Sequence, residues 1–305
     1  MLGHEIEFAI IQKAKDLNIN PKKHLDEVVK ITNTLRSFIN QDISLDNNEI
    51  EKLIERLTVF TTLVSVPIEN GIHISRAVKF DDDSINPCYP NVSRLSYIPK
   101  DISITPPLGR MNKEDNAMFY GSLYSHSNSM GTILSEVRAV KNEKFNILFS
   151  ETTNDLELVP IGVFDYFRRG VPHPFRLHND FKEMYDLYQN NTHPTAMLAL
   201  QLCDAFLSDI LTMDESDNLY SVTSTLASEC LKVDVIDGLM YPSVKFEDFP
   251  NVVIKPNSID KKTIHKEVHS LIVNDSFGYG MYETETLFKG NVNTHDGIIN
   301  WSKTK

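Results

Sequence analysis

The chain has little of the material that several protein classes require. Its three cysteines, Cys88, Cys203 and Cys230, are widely spaced over 305 residues and form neither a disulfide framework nor a paired metal-ligand pattern. Positive charge is scarce: 30 Lys and Arg face 42 Asp and Glu, for a formal net charge of −12. That deficit argues against a broad nucleic-acid-binding face, which needs clustered cations to neutralise phosphate. Any site for a phosphate-bearing ligand must concentrate its positive charge locally. No run approaches the ~18 apolar residues of a membrane span, and there is no internal repeat or low-complexity tract. The start, Met1-Leu2-Gly3-His4-Glu5, lacks a basic region followed by an apolar core, so no secretory signal and cytoplasmic residence are the expectations.

What is present is ordinary for a globular protein, with 41% hydrophobic and 24% charged residues. The length suits one large or two modest domains. Residues 1–66 read as an N-terminal helical segment. Asn20-Pro21 opens one helix with Pro at its first position, and Leu25, Val28, Val29, Leu35, Phe38 and Ile39 supply its apolar residues. Asp46 with Glu49 three residues on has the form of a capping box ahead of Ile50, Leu53, Ile54 and Leu57.

A new pattern begins after Val64. The turn Asn70-Gly71 precedes a strand of Ile72, Ile74, Ala77, Val78 and Phe80 that carries Arg76. Residues 81–107 are rich in Asp, Ser, Asn and Pro, and predict a long loop with a short strand at 93–98. A loop of that length suggests a gate over a site. Then come Gly109-Arg110-Met111-Asn112, the strand end Phe119-Tyr120-Gly121, and a helix on which Met130, Ile133, Leu134 and Val137 fall at i, i+3, i+4 and i+7. Ser127 to Ser129 offer its cap, and Glu136 sits at the edge of its apolar face.

Further on, strands are expected at 145–149 and 156–164, and a helical excursion at 165–217 that is strongly apolar over 197–211. A helix at 223–231, the turn Asp237-Gly238, and strands at 239–244 and 252–255 follow. The C-terminal extension, 261–305, reads as a helix near 261–272 and a weaker strand near 284–288. On such a helix His265 and His269 would share a face and could be proposed as a metal pair, but the zincin order of His followed directly by Glu is missing. A surface helix without metal is the preferred reading.

Taken in order, Ile74-Ser75-Arg76-Ala77, Gly109-Arg110-Met111-Asn112, Phe119-Tyr120-Gly121, the helix with Glu136, Tyr220-Ser221-Val222-Thr223, Asp237-Gly238-Leu239-Met240-Tyr241-Pro242-Ser243 and Asn251-Val252-Val253-Ile254 resemble the RES domain. The resemblance spans about 71–256. The chain departs from the family pattern at Met111, where Trp is frequent, at Ala77, where some members have an aromatic, and in the long gap between Glu136 and Ser243. The resemblance implies an α/β (α+β) fold with an ADP-ribosyltransferase-like core of mixed strands and helices over 67–260, carrying the helical insertion at 165–217. It also implies NAD as substrate, cleavage of the nicotinamide–ribose bond, and a role as the toxin of a toxin–antitoxin pair with a cognate antitoxin protein as partner. Glu136, Arg76 and Ser243 would then be catalytic, and Arg110, Tyr120 and Asn112 would bind substrate.

The residue chemistry agrees with those roles. A carboxylate such as Glu136 stabilises an oxocarbenium-like state beside ribose. Arg76 and Arg110, with Arg94 as the competing choice, offer forked donors to a pyrophosphate. Tyr120 can stack on nicotinamide or bond a ribose hydroxyl. Ser243 suits a phosphate or ribose oxygen better than nucleophilic attack, since no His–carboxylate pair stands at a recognisable spacing. Tyr220 and Asn251 are expected to be structural, the latter ordering a turn. The acceptor is left open among water, phosphate and a protein side chain, the last making the chain an ADP-ribosyltransferase. A non-catalytic nucleotide-binding module is the remaining alternative, and the apolar excursion leaves a homo-oligomer open.

Overall fold

The computed structural model describes residues 4–61, 64–80, 87–99, 104–124, 129–171, 179–242 and 250–304. The helices in chain order begin with α1 (His4–Asn18), α2 (Pro21–Ile39), α3 (Asn47–Thr58) and α4 (Ser129–Glu136). They continue with α5 (Val163–Arg169), α6 (Asn179–Asn191), α7 (Pro194–Thr212), α8 (Asp217–Cys230) and α9 (Pro256–Lys262). The strands are β1 (Val66–Ile68), β2 (His73–Lys79), β3 (Phe119–Tyr124), β4 (Lys144–Thr152) and β5 (Leu156–Pro160), then β6 (Gly238–Pro242), β7 (Pro250–Ile254), β8 (Thr263–Gly278), β9 (Met281–Val292) and β10 (Ile299–Lys303). The protein is therefore a mixed α and β fold. Its contacts divide it into a helical unit (Met1–Val64, Leu108–Lys113, Pro160–Lys232) and a sheet unit (Ser65–Pro107, Glu114–Val159, Val233–Lys305).

The helical unit follows local sequence signals closely. Asp46 and Glu49 form the expected reciprocal cap, with Glu49 N–H donating to Asp46 Oδ1 at 2.9 Å and Asp46 N–H to Glu49 Oε2 at 2.8 Å. Pro21 opens α2, where Asn20 holds the cap position without a side-chain bond, and Val28, Leu35 and Phe38 are buried. By length and composition α7 is apolar enough to cross a membrane. Much of it is instead interior to this unit: Ala196, Leu200, Cys203, Phe206, Leu207 and Ile210 are at most 1% exposed, and it packs on α2 and α5.

Among the described residues of the sheet unit ten strands lie in the order β1-β5-β6-β7-β3-β2-β4-β8-β9-β10. Helix α4 packs on the sheet through Ile133 and Leu134, which join Phe145 and Ile147 of β4 and Leu271 and Val273 of β8 in one apolar cluster. Gly131 makes this approach possible, because a Cβ there would sit 2.2 Å from the carbonyl oxygen of Gly280 in the β8–β9 turn. The Tyr282 hydroxyl adds a 3.3 Å bond to Ser135 Oγ. Strands β8 and β9 thus fix the helix that carries Glu136.

Strands β1 and β10 were not anticipated, and three further elements differ from expectation. The helix predicted over 261–272 is instead the short α9 followed by the long strand β8, paired with β4 on one side and β9 on the other. Val268 and Ile272 are four residues apart, a spacing that is even and so serves one strand face as well as one helix face, while a bulge opposite Phe149 and Ser150 sets Ile264 out of that register. Their β-branched side chains favour the strand. The strand expected to run to Phe164 ends at Pro160, and Phe164 lies in α5, whose N-terminal N–H groups bond the buried Asp204 carboxylate. The strand expected at 93–98 is a 3₁₀ turn at Val92–Arg94, capped by Asn91.

Residues 81–86 and 100–103 of the long loop lie outside the described residues. Its described part is tied down: the Pro87 carbonyl accepts bonds from Asn146 and Ser270, Trp301 donates to the Tyr89 carbonyl at 2.8 Å, and Val92 N–H donates to the Gly297 carbonyl. The proposed cap residue Ser127 also lies outside the described residues, and α4 begins at Ser129.

Candidate functional site

A cavity of about 290 Å³ opens within the sheet unit, between α4 and the strands β2, β3, β6 and β7. Arg76 of β2, Tyr120 of β3 and Glu136 of α4 all line it. The remaining wall comes from Ser75 and Ala77 of β2, Gly121 and Ser122 of β3, Ile133 and Val137 of α4, Tyr241 of β6 and Asn251 of β7. Sheet order explains the convergence, since β7, β3 and β2 are adjacent although far apart in the chain. Gly121 is required at its place, because a Cβ would meet Ile74 Cγ2 at 2.8 Å and the Ser75 carbonyl at 3.0 Å.

Arg76 is held rather than solvated. One terminal nitrogen donates to the Tyr120 carbonyl at 3.0 Å, and the guanidinium lies 5.7 Å from the centre of the Phe119 ring. Its Nε is buried without a hydrogen-bond partner. Burial lowers its pKa to about 10, against the opposing effect of the Tyr120 and Tyr241 hydroxyls. The group therefore stays cationic at neutral pH, a desolvated charge beside an open cavity.

Glu136 closes the last turn of α4. A helix C-terminus carries partial negative charge, so a carboxylate there costs about 0.3–1 kcal/mol relative to a cation. Helix stability alone therefore does not explain this residue.

A row of polar groups crosses the floor. Tyr241 pairs with Asn251, Asn251 with Ser122, and Ser122 with Ser75 in successive antiparallel registers. These four residues are at most 5% exposed. Ser75 Oγ donates to the Ser122 carbonyl at 3.5 Å and Ser122 Oγ to the Pro250 carbonyl at 3.2 Å. Asn251 Nδ2 has no partner. Asn251 lies inside β7 and does not order a turn. A polar residue in a strand whose every member is buried was the signal available in the sequence.

Arg110 and Asn112 are not among the residues lining this cavity. Both belong to the helical unit. There Arg110 donates to the carbonyls of Leu211 at 3.2 Å and Met213 at 2.9 Å, and its guanidinium lies 5.6 Å from the Tyr220 ring centre. It satisfies acceptors that the end of α7 would otherwise leave open. Asn112 is buried, donates to the Lys113 carbonyl, and accepts through its own carbonyl from Gly109 N–H. Arg94 stacks on Tyr89. Ser243 lies outside the described residues.

No protein-family model, curated protein or solved structure matches this chain.

On β8 the two histidines have separate partners. His265 Nδ1 is 2.7 Å from Ser150 Oγ, and burial lowers its pKa to about 4. His269 packs edge-on against Phe149 and lies 3.6 Å from Glu267. Among the described residues no group of three or more His, Cys, Asp and Glu could hold a metal ion.

Proposed function

We propose that this protein consumes NAD at the α4–sheet cavity, cleaving the bond between nicotinamide and ribose, in a core of the ADP-ribosyltransferase-like type that the RES resemblance implies. The observation that carries the reading is the shared lining: Arg76, Tyr120 and Glu136, assigned from three separate stretches of sequence, border one cavity. Its volume of about 290 Å³ lies at the lower end of the ~300–1,000 Å³ typical of small-molecule sites. That suits the nicotinamide nucleoside end of the dinucleotide, with the remainder extending outward.

In this reading the Glu136 carboxylate lies against the ribose and stabilises the positive charge that develops as the C1′–N bond breaks and nicotinamide leaves with the electron pair. Arg76 supplies the cation for the nearer phosphate, and the Tyr120 ring is the stacking surface for nicotinamide. Attack by water yields ADP-ribose and a proton; attack by phosphate yields the phosphorylated sugar. No metal is needed in either course. An enzyme of this kind must be restrained in the cell that makes it, which supports a toxin role with a protein antitoxin as partner.

Incubating the purified protein with NAD, with and without phosphate, and separating the products tests the proposal. Release of nicotinamide is expected, and Glu136→Gln should slow it by about 100- to 1,000-fold, the usual cost of removing one charge-stabilising group. Intact NAD under all conditions would refute the enzyme reading, and NAD bound but unchanged would favour a nucleotide-binding module.

A further inference from the structure

The cavity floor holds a donor and an acceptor side by side. Asn251 Nδ2 is a buried donor without a partner on a residue only 4% exposed. Its direct cross-strand neighbour is Ser122, so the two Cβ atoms are about 4.5–5.5 Å apart. The Ser122 hydroxyl spends its proton on the Pro250 carbonyl, which leaves its oxygen lone pairs as acceptors. A buried donor left unmade costs free energy, and a ligand in the cavity that Asn251 lines would supply the missing acceptor.

We propose that Asn251 and Ser122 together recognise a primary carboxamide. Its carbonyl oxygen accepts from Asn251 Nδ2 and its amide N–H donates to Ser122 Oγ. A carboxylate would bring acceptors to both and would set a lone pair against the Ser122 oxygen. A methyl ketone would satisfy Asn251 alone. This deepens the NAD reading and rests on it: the floor selects nicotinamide over nicotinic acid, and Asn251 and Ser122 are specificity residues in addition to Arg76, Tyr120 and Glu136.

The test is calorimetric titration of the full chain carrying Glu136→Gln, to suppress turnover, with three ligands. These are NAD, its nicotinic-acid counterpart, and the analogue with a methyl ketone in place of the carboxamide. NAD should bind at least about 10-fold more tightly than the acid. Asn251→Leu should weaken NAD and the ketone alike by about 10- to 100-fold. Ser122→Ala should weaken NAD but leave the ketone within about twofold. Because Leu removes an unpartnered buried amide, Asn251→Leu should also unfold at the parent's temperature or above, whereas an amide kept for the fold alone would be missed. If both variants bind NAD within about twofold of the parent while Arg76→Lys does not, the carboxamide assignment is wrong and the NAD site stands. If the parent background and the unmutated chain both fail to bind NAD, the site reading and this inference fall together.

Discussion

At the scale of single residues, the most unusual group outside the cavity is Asp204 on α7. Burial raises its pKa to about 7, although the backbone N–H groups of Asp165, Phe164 and Gly162 favour the ionised form, and neighbouring Asp165 adds to the upward shift. The Asp165 N–H bond is 2.7 Å long, and Asp165 itself is paired with Arg168 and Arg169. A carboxyl whose folded pKa lies above its unfolded value binds more protons folded than unfolded between about pH 4 and 7. Its contribution to stability therefore falls as pH rises through that window, by an amount on the order of 4 kcal/mol at most. Asp204→Asn, which removes the titration, should gain on the parent as pH rises: in thermal melts the variant's midpoint relative to the parent should be higher at pH 8 than at pH 5. A difference independent of pH would show that Asp204 does not titrate in that range. Arg76→Lys should weaken NAD binding by at least about 10-fold, since a point charge cannot reproduce a forked donor; titration against NAD measures it. Arg76, Tyr120 and Glu136, singled out in the sequence through the RES resemblance, line one cavity. The place of Arg110 was not legible, because the carbonyls it satisfies belong to a helix end remote in sequence, and nothing local announces them.

At the scale of elements, local signals succeeded where the chemistry was local. The capping box at Asp46 and Glu49 is written in four consecutive residues, and Asp46→Ala should cost about 1 kcal/mol in urea unfolding. The strand β8 was illegible for the opposite reason: the spacing of Val268 and Ile272 fits both periods, and what decides between them is the presence of β4 and β9 on either side. The same strands make α4 sensitive to a single methyl. Gly131→Ala would push a Cβ into the Gly280 carbonyl, and backbone cannot yield as a side chain does. We expect a loss of about 1–3 kcal/mol, as for overpacking, together with a fall in NAD turnover as Glu136 moves. Urea titration and product assay on the same preparation check both, and an unchanged midpoint would mean that the turn adjusts freely.

At the scale of the whole molecule, composition described the chemistry's surroundings better than its architecture. A net charge of −12 left room only for local cation, and the half-buried Arg76 beside the cavity is such a case. The mixed α and β character was readable from alternating periods. The strand order was not, because it depends on pairings between β3 and β7 and between β4 and β8 that no window of sequence contains. Removing residues 263–305 should abolish NAD binding, since it strips Leu271 and Val273 from the cluster under α4; a truncated protein that binds NAD normally would contradict that dependence. The interleaved order has a further consequence for the cell that translates the chain. Arg76, Tyr120 and Glu136 leave the ribosome well before Tyr241 and Asn251, and the supports at Leu271 and Val273 emerge later still. Long-range pairing of this kind is slow to form. The nascent chain thus carries the cavity's lining residues unassembled through most of its synthesis; under the proposed function, that delay gives a restraining partner made alongside it time to arrive.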